Sequence, residues 1–267
     1  MNQSTKRLSK LLTSVFVTLI YIFLYLPIAV IVFFSFNSSK LNIVFQGFTL
    51  QWYGVMLQNT ELMSALENTV IVAVATVVIS VFIGTLAAIG MYRYEFKGKG
   101  IVDSFLYIPI VIPEIVMGIS LLAFYHILNI NLGLTTLIIA HVTFSMPYVV
   151  VTVRSRISGY DMAVEEAAMD LGATRLRTLL RVTLPIIAPG ILAGAMLALT
   201  LSLDDVIVSF FTTGVDSVTL PIYIFNKVKT GVSPDINALI TVIILITLLI
   251  LLFVRAIEAK ASRYGRA

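Results

Sequence analysis

Six stretches of this chain stay apolar long enough to cross a bilayer, at 11–36, 68–92, 104–128, 132–153, 188–212 and 236–255. A helix needs roughly 20 apolar residues to span the hydrocarbon core. In that medium every backbone polar group must find its partner inside the segment. The sequence therefore predicts an all-α, polytopic membrane protein, with residues 1–267 forming a single transmembrane domain. Charge agrees: 12% of residues are charged, about half the share usual in soluble domains. The first apolar run has no small-residue cleavage site and is too long for a signal-peptide core, so it is expected to be retained. Asn129 to Gly133 makes a tight turn between the third and fourth spans, which suits an antiparallel hairpin.

Basic residues choose the orientation. Lys6, Arg7 and Lys10 precede the first span, and Arg93, Lys97 and Lys99 follow the second. Arg154, Arg156, Arg175, Arg177 and Arg181 lie between the fourth and fifth, and Arg255, Lys260, Arg263 and Arg266 close the chain. Only Lys40, Lys227 and Lys229 fall on the other side, a bias of fifteen to three. Cationic loops stay in the cytoplasm, so both termini are predicted inside, which requires an even number of spans. The net charge of +4 thus reports topology and not nucleic-acid binding.

Three acids fall within the predicted spans: Glu114 in the third, Asp204 and Asp205 in the fifth. A carboxylate at the bilayer centre costs about 2.5–3.5 kcal/mol on insertion scales. On a continuous helix Ser202, Asp205 and Ser209 would share one face, with Thr200 and Asp204 beside it. No Lys or Arg lies inside any span to neutralise these acids, so the expected counter-ion is a cationic cargo. The alternatives are a solvated helix end for the two aspartates and a third span that begins only at Pro113. Trp52, in the outer loop beside Tyr53, has two readings: an interfacial anchor, or a cation–π surface for an ammonium group. His126 and His141 are isolated in apolar spans and are expected to pack between helices. Gly190 and Gly194 form a GxxxG that suits close helix contact.

The segment EEAAMDLGATRLRTLLRVTLP at 165–185 is the polar exception. Asp161 can cap a short helix through Leu171, with Glu165 and Glu166 in its first turn and Met162, Val164, Ala168 and Leu171 along one edge. Gly172 then permits a sharp reversal. Thr174 can cap a second helix with Leu176, Leu179, Leu180 and Val182 on one face, which Pro185 is expected to end before Pro189 opens the fifth span. An amphipathic pair lying on the inner membrane surface is one reading.

Glu166-Ala167-Ala168, Gly172 four residues on, then Val182 and Leu184-Pro185 resemble the EAA signature of permease subunits in bacterial ABC importers, with Val182 where the signature has Ile. FNSSK at 36–40, MYRYEF at 91–96, PEIVMGISLL at 113–122, HVTFSMPYVVVTVRSR at 141–156, LSLDDVIVSFFTTG at 201–214 and KVKTGVSPDINAL at 227–239 are similar to the spermidine/putrescine branch of that family. The resemblance implies a MetI-like permease architecture in the bacterial cell membrane, in which residues 162–185 form coupling helices seated on an ATPase. It implies polyamine import, with the polyamine as substrate and three protein partners: a second homologous permease, an ATPase dimer that binds the ATP and Mg, and an extracytoplasmic polyamine-binding protein; membrane lipid is expected from the apolar spans. The expected substrate pathway comprises Asp204, Asp205, Ser202, Glu114 and Trp52. The expected coupling residues are Glu166, Ala167, Ala168, Gly172, Leu184 and Pro185.

No catalytic residue and no cofactor are expected on this chain. It has no GxxxxGK[ST] loop for phosphates, no cysteine, and no nucleophile–base or His–carboxylate cluster. A permease for anions would place basic or backbone donors at depth, and a channel or secondary transporter would have no use for the Gly-broken polar loop.

Overall fold

The computed structural model describes residues 3–40, 44–159, 161, 163–231 and 233–264, and the side chains within them from Lys10 to Leu252 except Thr230, Ile250 and Leu251. Met162, Arg266 and the side chains of Lys6, Arg7, Arg255, Lys260 and Arg263 lie outside this description. Every regular element among the described residues is helical, apart from one isolated bridge between Asn37 and Phe48. Among the described residues four helices are long and apolar enough to cross a membrane: Lys10–Phe34, Thr60–Arg93, Leu134–Ser158 and Arg175–Asp204. A bent pair, Lys99–Val111 and Glu114–Ile127, makes a fifth if it is one span. The stretch expected at 236–255 falls in a helix whose described apolar part, Pro234–Leu249, is shorter.

Two compact units divide the chain, one built from 1–63 with 226–267 and the other from 64–225. In the first, α1 (Gln3–Phe34) is apolar on all sides from Leu11 onward and exposes its side chains from Lys10 to Val30, Phe16 by 65% and Phe23 by 77%. A helix with no polar face is at home in lipid or a core. The segment after it is knotted around Asn37, which is fully buried. Its amide Nδ2 donates to Val44 O at 2.9 Å and its Oδ1 accepts from Gln46 N at 2.8 Å. The short α2 (Gln51–Gln58) buries Trp52 and Met56. At the start of α12 (Pro234–Tyr264), buried Asp235 accepts from Asn59 Nδ2 at 2.8 Å, while Asn59 Oδ1 accepts from Leu62 N.

The second unit contains most of α3 (Thr60–Arg93), then α4 (Lys99–Val111), α5 (Glu114–Ile127), α6 (Leu134–Ser158), α7 (Ala163–Asp170), α8 (Arg175–Thr178), a π-turn (Leu179–Thr183), α9 (Leu184–Asp204), α10 (Ile207–Thr212) and the start of α11 (Leu220–Thr230). Its core joins α6 to α9 through Val149, Val150, Val153, Ile187 and Ala198. The expected GxxxG contact is what brings these helices together. A Cβ on Gly190 would fall 2.6 Å from Arg156 Cβ, and one on Gly194 would fall 3.2 Å from Val149 Cα. Asn129, at φ 53°, turns the α5–α6 hairpin, which Tyr125 OH closes by donating to Thr136 O at 3.0 Å. An Arg154–Asp103 ion pair ties α4 to α6.

Two expected spans are broken or extended, each for a local reason. The third does not run straight from 104 to 128, because α4 and α5 meet at 110°. Pro113 forces the residue before it out of the helical region, and Ile112 accordingly sits at φ −69°, ψ 134°. The fifth neither starts at Pro189 nor follows a break at Pro185: helix runs unbroken from Arg175 to Asp204. Within the π-turn Leu184 N–H reaches back five residues to Leu179 O. That wider turn takes the carbonyls before Pro185 out of the register its ring would strike. It also splits the expected apolar face: Leu179 and Val182 turn partly inward, while Leu176 and Leu180 stay exposed. Finally, helix stops at Asp204 and restarts at Ile207, so the stripe predicted for a continuous 188–212 helix does not exist as drawn.

Candidate functional site

The break after Asp204 builds the site. Asp205 adopts extended backbone, φ −66° and ψ 124°. Its carboxylate caps α10, Oδ1 accepting from Val208 N at 3.2 Å and Oδ2 from Ser209 N at 2.7 Å. Aspartate competes well for such a position and poorly for a helix interior. Behind it His141, fully buried on α6, bonds Ser202 Oγ through Nδ1 and Ser209 Oγ through Nε2, each at 2.8 Å. His141 Nε2 is also 3.5 Å from Asp205 Oδ2. One imidazole thus bridges the end of α9 to the start of α10. His141 is not the isolated packing residue expected from sequence, whereas His126 stays exposed.

This arrangement redistributes the expected pathway residues. Ser202 and Asp205 come together as predicted, but through His141 and the cap, not through a shared helical face. Ser202 is buried and bonded to His141, and Asp205, one of the three acids expected to await a cationic cargo, already has a nearby imidazole and two N–H donors. Asp204 and Glu114 remain exposed, with no side-chain hydrogen bond among the described residues. Both line a cavity of about 490 Å³ with Asp205, Pro113, Met117, Phe144, Tyr148 and Leu201. Its ionisable wall residues of the Asp, Glu, Lys, Arg and His types are three carboxylates and no cation. The volume lies in the range of small-molecule sites. The α4–α5 bend supplies one wall, placing Glu114 in the first turn of α5.

Trp52 does not present an open ring face. It is 7% exposed, and its Nε1 donates to Asn37 O at 2.6 Å, so it is a loop anchor within its own unit and not a cation–π surface. Its neighbour Tyr53 bonds Ser35 Oγ at 3.0 Å.

The polar segment forms as expected around Gly172, which holds φ +87°. Ala163 N donates to Asp161 Oδ1 at 3.0 Å, and Arg177 N to Thr174 Oγ1 at 3.4 Å. Glu166 and Ala167 are exposed on α7 and Ala168 is half-buried. Leu171 is 90% exposed. Leu184 packs on the α6–α9 core, and Pro185 stays exposed in the first turn of α9. Sequence reasoning missed that Glu165, beside the signature, is the buried acid at 4% exposure. Arg93 Nη2 donates to both its carboxylate oxygens at 2.6 Å. From sequence Arg93 reads only as an orientation residue, because no local signal pairs residues 72 positions apart.

Comparison with known proteins gives the family. Residues 80–263 match the model of the binding-protein-dependent transport system inner membrane component. The chain is 42% identical over 245 residues to the spermidine/putrescine transport system permease protein PotC of Escherichia coli strain K12, covering 92% of this chain and 93% of that one. It is 40% identical over 231 residues to the putrescine transport system permease protein PotI of the same organism, covering 84% and 82%. Its fold superposes with a TM-score of 0.72, at 16% identity and over 96% of this chain and 98% of the other, on a chain from the crystal structure of a bacterial ABC transporter that imports the acidic polysaccharide alginate. The chain belongs to the family of binding-protein-dependent transport system inner membrane components, as a permease subunit of an ABC importer.

Proposed function

We propose that this permease imports polyamines. The observation that carries the reading is the cavity whose acids are Glu114, Asp204 and Asp205 and whose wall holds no Lys, Arg or His. A polyamine is a flexible chain with an ammonium group at each end, and each ammonium must exchange its water for acceptors. Asp204 and Glu114 supply these, while Pro113, Met117, Phe144 and Leu201 pack on the methylenes. The names of the PotC and PotI relatives support the same cargo.

The proposal extends to topology and partners. Six crossings, counting the α4–α5 pair as one and α12 as the last, place both termini in the cytoplasm with fifteen of the eighteen basic residues. A second, related permease supplies the other half of the pathway. A polyamine-binding protein delivers cargo to the outer loops at 37–66 and 213–235. An ATPase dimer, which holds the ATP and Mg, docks on residues 162–185 through the exposed face of α7 and the Gly172 reversal. No covalent chemistry occurs on this chain. A pair of coupling helices has reason to be exposed and yet hinged on a left-handed glycine; lipid contact alone requires neither.

The test is uptake of labelled spermidine in cells without other polyamine importers, comparing the wild type with Asp204→Asn combined with Glu114→Gln. Loss of uptake at normal expression is expected. Unchanged uptake refutes the cargo site.

A further inference from the structure

We propose that α3 is the connecting rod that carries movement of the coupling segment to the cargo cavity, and that Arg93 and Glu165 are the positioning residues at its driven end; this rests on the coupling role proposed above. Three elements meet at that end. Arg93 is the last residue of the 34-residue α3, Glu165 lies in the first turn of α7, and Thr183 closes the π-turn. Besides its two bonds to Glu165, Arg93 Nη2 donates to Thr183 Oγ1 at 3.0 Å. Thr183 Oγ1 in turn donates to Glu165 Oε1 at 2.6 Å. A guanidinium at a helix C-terminus also suits the helix dipole.

This cluster provides the side-chain hydrogen bonds from α7 to other elements among the described residues. α7 also packs on α8 and the π-turn, and a surface depression of about 250 Å³, lined by Arg93, Tyr94, Glu165, Met169, Arg175 and Thr178, lies beside the clamp. Its link to α3 is the charged clamp, so displacement of α7 reaches α3 through those bonds.

The far end of α3 is tied just as directly. Asn68 Nδ2 donates to Asp216 O at 3.2 Å and to Val218 O at 3.1 Å, and Thr69 Oγ1 accepts from Leu220 N at 2.7 Å. The strand of chain so held follows α10, whose Ile207 and Val208 line the cargo cavity. From residue 68 to residue 93 a helix rises about 37 Å. An unbroken helix of that length transmits a push along its axis, because each turn is held by its own backbone bonds. Coupling then runs from α7 through Glu165 and Arg93, along α3, and through Asn68 and Thr69 to the wall that holds Asp204 and Asp205.

The experiment uses the assembled importer in proteoliposomes, with its ATPase, binding protein and labelled spermidine, and reads spermidine moved per ATP hydrolysed. Glu165→Gln is expected to leave ATP hydrolysis in place and lower that ratio at least about tenfold, equivalent to about 1.4 kcal/mol of lost coupling. The exchange Arg93→Glu with Glu165→Arg is expected to recover part of the ratio. Where Glu165→Gln does not assemble, Glu165→Asp keeps the charge and shortens the reach; a lowered ratio supports the rod and an unchanged one overturns it. An unchanged ratio in Glu165→Gln likewise overturns it, as does a variant in which hydrolysis and uptake fall in proportion. A wild-type permease that binds no ATPase would instead refute the coupling role itself.

Discussion

Asp204 and Asp205 are adjacent acids that the structure gives different work, and exchanging each for asparagine separates them. Asp205 accepts two backbone N–H bonds at 3.2 and 2.7 Å and faces His141. Asparagine retains one acceptor oxygen and turns an NH2 toward the other donor. One charge-assisted bond is lost, about 1.5–3 kcal/mol. At about 2–4 °C per kcal/mol for a chain of this size, the unfolding midpoint should fall by about 3–12 °C. Asp204 is exposed and makes no side-chain hydrogen bond among the described residues, so Asp204→Asn should stay within about 0.5 kcal/mol of wild-type stability. Its loss falls on the cargo. Removing one carboxylate from an ammonium, again about 1.5–3 kcal/mol, raises the half-saturating spermidine concentration about tenfold to a hundredfold. Thermal unfolding of the purified importer and spermidine uptake at several concentrations read the two effects. The reasoning is refuted if Asp204→Asn transports like wild type, or if Asp205→Asn abolishes uptake while its unfolding midpoint does not move.

Gly190→Ala should lower the unfolding midpoint, because its Cβ meets Arg156 Cβ at 2.6 Å and α6 must shift; overpacking of this kind costs about 1–3 kcal/mol. Gly172→Ala should cost about 1–2 kcal/mol at a φ of +87° and reduce ATP-driven uptake, with spermidine binding to the solute-binding protein unaffected. Trp52→Phe removes the Nε1–Asn37 bond while keeping an aromatic ring, and should cost about 1 kcal/mol in unfolding without changing the half-saturating spermidine concentration. A cation–π role would show the opposite pattern.

Much of the chain was legible without coordinates because lipid permits so few solutions. Runs of apolar residues, the Gly190–Gly194 spacing and the Gly172 reversal are local patterns, and the physics that reads them is local too. Part of what escaped is local backbone geometry. Asp205 carries a recognisable capping side chain, yet an apolar stretch hides the break because hydropathy counts side chains and not backbone angles. The same averaging hid the bend at Pro113, whose signal was present but ambiguous, and the π-turn that lets helix run through Pro185.

By itself, then, the sequence determined the apolar medium, the helical class, the uneven placing of basic residues and the polar Gly172 reversal, since each follows from composition or spacing within a few turns. Only the tertiary structure decided which acid is free. His141 reaches Ser202 and Ser209 from 61 and 68 residues away, and Arg93 reaches Glu165 across 72. A carboxylate's role depends on whether a donor already fills its lone pairs, and that is settled by which helices pack together and not by the residues on either side.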